Sequence, residues 1–152
     1  PDGGDSAVLL AQMLAAGGVR PDRIRFLGSS QWDDPRVLKE PNFAGGWFPG
    51  PESGGYQSFA QRYQAAFGKP PMRQASLAYD ATSLAAGLTA RFGATAFSEK
   101  ILTNPSGFIG IDGAFRLLAS GLNERGLAIY EIRGGAAAVV EPAPKTFSRG
   151  GT

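Results

Sequence analysis

A chain of 152 residues, 43% of them hydrophobic, is long enough to bury one ordinary core and too apolar to stay disordered. Its net charge of +2 comes from 15 basic and 13 acidic residues scattered along the chain, with no run that tracks a phosphate backbone, which argues against nucleic acid as a partner. Histidine and cysteine are absent, so Ser-His-Asp and Cys-His catalysis, thiol redox chemistry and the usual zinc sites are excluded within this chain, and no metal or cofactor is expected. No apolar run approaches the roughly 20 residues that cross a bilayer, and the sequence opens on Pro1-Asp2 rather than on a signal region, which predicts a soluble chain as it stands.

The first four residues, PDGG, have the composition of a loop between a strand and a helix, so a strand is expected before them. Asp5 and Ser6 are predicted to cap the helix AVLLAQMLAA, which Gly17-Gly18 ends. Ile24 to Gly28 is a β-rich run after that helix; loop, helix, loop and strand make the later part of a βαβ unit and imply a parallel sheet. Ser29-Ser30-Gln31-Trp32 leaves the carboxyl end of this strand, where ligands bind in open α/β sheets. Asp34-Pro35 is an N-cap and N1 pair opening a short helix that Pro41 ends. Ala44 to Phe48 (AGGWF) is a second short strand, closed by Pro49-Gly50-Pro51. Ser53 then starts a helix carrying Tyr56, Phe59, Tyr63 and Phe67 at helical spacing, with Gly68 to Pro71 as its stop.

The longest helical pattern follows, from Gln74 to Phe92. Leu77, Ala81, Leu84 and Leu88 recur at steps of three and four, flanked by Ala78, Ala85 and Phe92, and form one broad apolar stripe that needs cover. Gln74 and Ser76 are its start signals and Gly93 its stop. Tyr79 and Asp80 read as structural, with Asp80 tying the helix start to a neighbouring backbone. Ala96 to Leu102 is a shorter helix, and Asn104 to Gly107 a turn. From Phe108 the chain reads as strands (FIGI, AFRLLA, GLAIYEI, AAAVVEP) separated by Asp112-Gly113, a Ser120 to Arg125 loop and Gly134-Gly135. The tail beyond Pro142 reads as frayed, and there is no internal repeat.

Taken in order, the PDGG loop before a helix, the strand ending FLGSS-x-W, the AGGWF strand, the helix with AYDATSLAA, and FIGIDGAFRL followed by a strand ending YEIRGG resemble the carboxyl-terminal part of type 1 periplasmic binding proteins. These are the branched-chain-amino-acid-type receptors of ABC transporters. WDDP, GWF, NPSGFIGIDGAFRL and EPAPKTF are similar to members labelled substrate-binding proteins or penicillin-binding-protein activators. The resemblance implies an α/β fold: a Rossmann-like parallel sheet with flanking helices, forming part of a two-lobed receptor more than twice this length. It assigns residues 1–48 to the second lobe, 49–107 to helices returning to the first lobe, 108–145 to second-lobe strands and 146–152 to a tail. The helix with the apolar stripe then lacks its sheet, and either the amino-terminal part of the same protein or a second copy of the chain must cover it.

The resemblance also implies a periplasmic, non-enzymatic receptor that holds a small polar or amphipathic ligand between its lobes and delivers it to a membrane permease. A protein-interaction lipoprotein domain that activates a cell-wall synthase is the alternative. Asp5 and Ser6 follow the GG pair and are ligand contacts by resemblance, or simple helix caps. Ser29, Ser30, Gln31 and Trp32 form the other contact loop, or an ordinary turn with Trp32 packed inward. Amino-acid-binding relatives carry in this loop a Glu that pairs with the ligand's ammonium, and Ser30 stands at about that position. Trp47, with Phe48, lines the cleft by resemblance, or belongs to the core. Asp33 and Asp34 point apart and make a poor acid–base pair, and the Gly pairs form no dinucleotide or phosphate-binding motif. No catalytic residue is expected.

Overall fold

In a computed structural model, which describes residues 2–147, the chain passes three times between two units. Unit 1 is Pro1–Gly50 with Leu127–Pro142; unit 2 is Pro51–Gly126 with Ala143–Thr152. The helices are α1 (Gly4–Ala16), α2 (Pro35–Leu38), α3 (Ser53–Phe67), α4 (Ala75–Phe92) and α5 (Glu99–Leu102). The strands are β1 (Trp47–Gly50), β2 (Phe108–Gly110), β3 (Gly113–Leu117), β4 (Asn123–Arg125), β5 (Ala128–Arg133) and β6 (Ala136–Glu141). The α/β class implied by the resemblance is the one observed.

In unit 1 the sheet runs β1-β5-β6 and is antiparallel throughout. Phe48 faces Tyr130 in register, their rings stacked 5.4 Å apart, and both side chains are buried. The strand expected over Ile24 to Gly28 is reduced to one parallel bridge, Leu27 to Trp47, in which the Trp47 amide donates to the Phe26 carbonyl and the Gly28 amide to the Trp47 carbonyl. The pairing goes no further than this one residue pair, and Leu27 is 76% exposed. The second strand begins later than expected and continues through Pro49 and Gly50, which β1 tolerates as the end strand of its sheet.

Helix α1 lays its small residues, Ala7 and Ala11, against α2 and the Pro41–Phe43 turn, which lets the backbones approach closely. Its cap is Gly3, not Asp5 or Ser6, both of which lie inside the first turn. Asp5 there still gains from the positive end of the helix dipole. The glycine stop holds: Gly18 takes φ +85° and Val19 donates back to the Leu14 carbonyl. Asp34 caps α2 as expected, accepting from the Arg36 amide at 2.8 Å, with Pro35 first in the helix. Val37, Phe43, Phe48, Ala128 and Ile132 fill the core.

Unit 2 pairs α3 and α4 with a second antiparallel sheet, β2-β3-β4. The β2–β3 turn at Ile111-Asp112 is clamped on three sides. Asp112 is buried and accepts two bonds from Arg73, at 2.9 and 3.1 Å, and one from the Ser76 hydroxyl at 2.7 Å. Asp80, also buried, accepts from the Ile111 amide at 2.8 Å, which is the backbone tie expected of it. A methyl group on Gly55 would lie 2.1 Å from the Ile111 carbonyl oxygen, so α3 reaches the turn only because this residue is glycine.

These clamps explain a difference from the expected division of the chain. The stretch 108–145 is not one segment: β2 to β4 stay with the helices in unit 2, and only β5 and β6 belong to unit 1. The predicted Ser120 to Arg125 loop contains β4, a strand with no β-favouring residue, made by its pairing with β3 and by an Arg116–Glu124 ion pair directly across the ladder. The tail is packed as far as it is described. Pro144 lies over Gly126, and the Arg116 guanidinium sits 4.8 Å from the Phe147 ring. Residues 148–152 of the predicted tail lie outside the described residues.

Within unit 2 the apolar stripe of α4 is largely uncovered. Among its apolar residues only Leu88 is buried, whereas Leu77 is 43% exposed. Two open hollows of about 890 and 290 Å³ run beside it, both walled by Leu84, Leu88 and Phe115.

Candidate functional site

The two loops singled out in the sequence lie side by side in unit 1. Gly3 packs directly on Gln31: a methyl group there would fall 2.8 Å from Gln31 Cβ and 2.9 Å from its carbonyl oxygen. The Trp32 indole Nε1 donates to the Asp2 carbonyl at 3.2 Å. The helix start is fixed to α2 as well, because Arg36 bridges Asp5 at 2.9 Å and Asp34 at 2.7 Å. Ser29 closes the second loop by accepting from the Gln31 amide at 3.4 Å, which turns Ser30–Trp32 into a single 3-10 turn.

The side chains divide sharply between surface and core. Ser6, Ser30 and Gln31 are exposed, Ser29 is half-buried, and Asp5 is exposed but already paired with Arg36. Trp32 is 5% exposed and belongs to the core: its ring lies tilted against Phe43, 4.3 Å between centroids, and covers Gly28 so closely that a methyl group there would lie 2.0 Å from it. Of the two readings of Trp32, ligand contact or a side chain packed inward, the second is the one observed. Its indole is spent on holding the two loops together.

Trp47 stands apart from these loops in its bonding. Its indole donates to Glu131 at 3.1 Å and the Arg25 guanidinium lies 4.3 Å over its ring. The Trp47 indole N–H, and then Arg133, hold the Glu131 carboxyl below the usual carboxylate range. Hydrogen bonds from Arg36, side chain first and then backbone, bring the Asp34 carboxyl down to about 2, and Asp34 in turn raises Arg36. Among the described residues every shifted group is thus committed to an ion pair or a cap. None is poised to transfer a proton near neutral pH. Among the described residues no three carboxylates converge to hold a metal ion.

Arg36 is the residue that sequence reasoning missed. Its partner Asp34 was recognised as a cap, but nothing in local spacing signals that the same guanidinium reaches Asp5, 31 residues away. Also without a sequence signal are Asp80 Oδ2 and Arg125 Nη1, both buried with no hydrogen-bond partner among the described residues.

No protein-family model matches the chain, and no curated protein matches it. Solved structures do. A protein from Rhodospirillum rubrum assigned to the branched-chain amino acid ABC transporters superposes with a TM-score of 0.70 at 21% identity, over 88% of this chain and 41% of its own. A solute-binding protein of an R. palustris ABC transporter, in complex with benzoate, covers 99% of this chain and 43% of its own at a TM-score of 0.56 and 19% identity. The LivJ substrate-binding protein of Streptococcus pneumoniae, in complex with isoleucine, covers 93% and 43% at a TM-score of 0.54 and 18% identity. The chain spans less than half the length of each of these proteins. At such identities the likeness is one of architecture, and the chain has the fold of the matching portion of these ABC-transporter solute-binding proteins, the fold that its motifs resemble.

Proposed function

We propose that this chain is the carboxyl-terminal part of a periplasmic solute-binding receptor of an ABC transporter, with no catalytic activity of its own. Such a receptor clasps a small polar or amphipathic ligand between two lobes and presents it to a membrane permease. Residues 1–48 with the β5–β6 strands serve as second-lobe elements, and α3 and α4 pack within the first lobe. The single observation that carries the reading is the juxtaposition in unit 1 of the Gly3–Ser6 helix start and the Ser29–Gln31 turn, which offers exposed hydroxyl and amide groups at one edge.

Ser6, Ser29, Ser30 and Gln31, with the free amides of the first turn of α1, hydrogen-bond the ligand's polar end. Trp32 acts beneath them as a prop, and Trp47 contributes from beside them. Asp5 is already paired with Arg36, a cation it shares with Asp34, so it can take up a ligand's ammonium group only by giving up that pair. A carboxylate or neutral polar ligand therefore fits them better than an α-amino acid. Calorimetric titration of the longer receptor with leucine, isoleucine and benzoate tests this: binding of benzoate in preference to the amino acids supports the reading, and preference for the amino acids overturns the assignment of Asp5. Failure of every small molecule, together with binding to a cell-wall synthase, would favour the activator alternative.

A further inference from the structure

The three passages between the units leave unit 2 at residues 51, 126 and 143, and within unit 2 these points are tied to one another. The Glu52 carboxylate, one residue into unit 2, accepts a hydrogen bond from the Ala143 amide at 3.0 Å across 91 residues of sequence. Pro144 lies on Gly126: a methyl group there would come 2.8 Å from the Pro144 carbonyl oxygen and 3.0 Å from its ring, and Gly126 is itself anchored by donating to the Ala114 carbonyl at 2.8 Å. Phe147 then closes the segment down over Gly107 and under the Arg116 guanidinium.

A tail needs none of this to exist, and residues such as Pro144 and Lys145 are exposed. The contacts of its first two residues, Ala143 and Pro144, fall where the chain enters or leaves unit 2. We infer that Ala143–Phe147 is a strap that binds the unit 2 ends of the three passages into one joint, and that Glu52 is the latch holding the strap in place. With the latch made, movement of one unit relative to the other is confined to the three short links. With it broken, the third link lengthens by the residues of the strap, and the joint loosens. The inference rests on the division of the chain and these contacts alone and is independent of any ligand.

Absence of cysteine makes the test direct, because a spin label can be placed on Lys39→Cys in unit 1 and another on Gln61→Cys in unit 2 of this chain without competing thiols. The distance distribution between them is compared with Glu52 intact, in Glu52→Ala and in Glu52→Gln, whose amide oxygen still accepts. Glu52→Ala should broaden the distribution and speed exchange of the Ala143 amide by about five- to tenfold, the usual scale for losing one side-chain hydrogen bond. Glu52→Gln should leave both near the native values. Gly126→Ala, which unseats Pro144 from the other side, should broaden the distribution as Glu52→Ala does. An unchanged distribution in Glu52→Ala, or equal broadening in Glu52→Gln, overturns the latch.

Discussion

At the scale of single residues, the side chains doing most to hold the chain together are those whose neighbours were invisible along the sequence. Trp32 was legible as an aromatic residue in a βα loop. That it points inward depends on Phe43, eleven positions on, and on the bare face of Gly28. Trp32→Ala should therefore cost about 3–5 kcal/mol of stability, read from the denaturant midpoint, because it empties a packed site. A small loss of stability would return Trp32 to the surface. Asp112 is a parallel case in unit 2. Asp112→Ala removes one acceptor of the fully buried Ser76 hydroxyl, which can still donate to the Arg73 carbonyl at 3.0 Å, and leaves half-exposed Arg73 free to reach water, so a loss of about 1–2 kcal/mol is expected rather than the full cost of breaking a buried pair.

Asp34 supplies a pH signature. Its folded carboxyl titrates at about 2 against an ordinary 3.8, so as pH falls the unfolded chain takes up the proton first. The stabilisation is complete above pH 3.8 and is lost as pH drops toward 2. Unfolding curves taken across that window should show native protein losing more stability than Asp34→Asn, which keeps a cap but does not titrate. Parallel curves would mean that the Arg36 pairing contributes nothing in solution.

At the scale of elements, helices were more legible than strands, for a physical reason. A helix closes its hydrogen bonds locally, so capping and periodicity mark it: Asp34-Pro35, Gly18, Gly68 and Gly93 all stop or start helices as their chemistry predicts. A strand exists only through its neighbour. β4 has the wrong composition and forms because β3 is beside it, whereas Ile24 to Gly28 has the right composition and makes one bridge because only Trp47 is beside it. The stripe on α4 was read correctly as apolar, and within unit 2 it is largely uncovered. Within this chain Leu88→Ala should cost about 2–3 kcal/mol, whereas Leu77→Ala should cost under about 1 kcal/mol, since Leu77 is nearly half exposed. In the longer receptor the Leu77 substitution should become the more costly of its two measurements, because a partner then covers the stripe. Equal costs in chain and receptor would show that α4 faces solvent in both.

At the scale of the whole molecule, the order of motifs carried more than any one of them. Loop, helix, bridge and turn bring Gly3 and Gln31 together from 28 residues apart, and that pairing was foreseeable from the βα order alone. Which side chains remain free at the resulting edge was not foreseeable, because it depends on Arg36 reaching Asp5 and on Trp32 turning inward. The central claim is that this edge binds a small molecule. Its most direct test is mass spectrometry of the molecules released on denaturing the purified longer receptor, native and with Ser6, Ser30 and Gln31 all changed to Ala. The account predicts one small polar or amphipathic compound released in equimolar amount from the native protein and depleted in the triple variant. Release of the same compound in the same amount from both would contradict it.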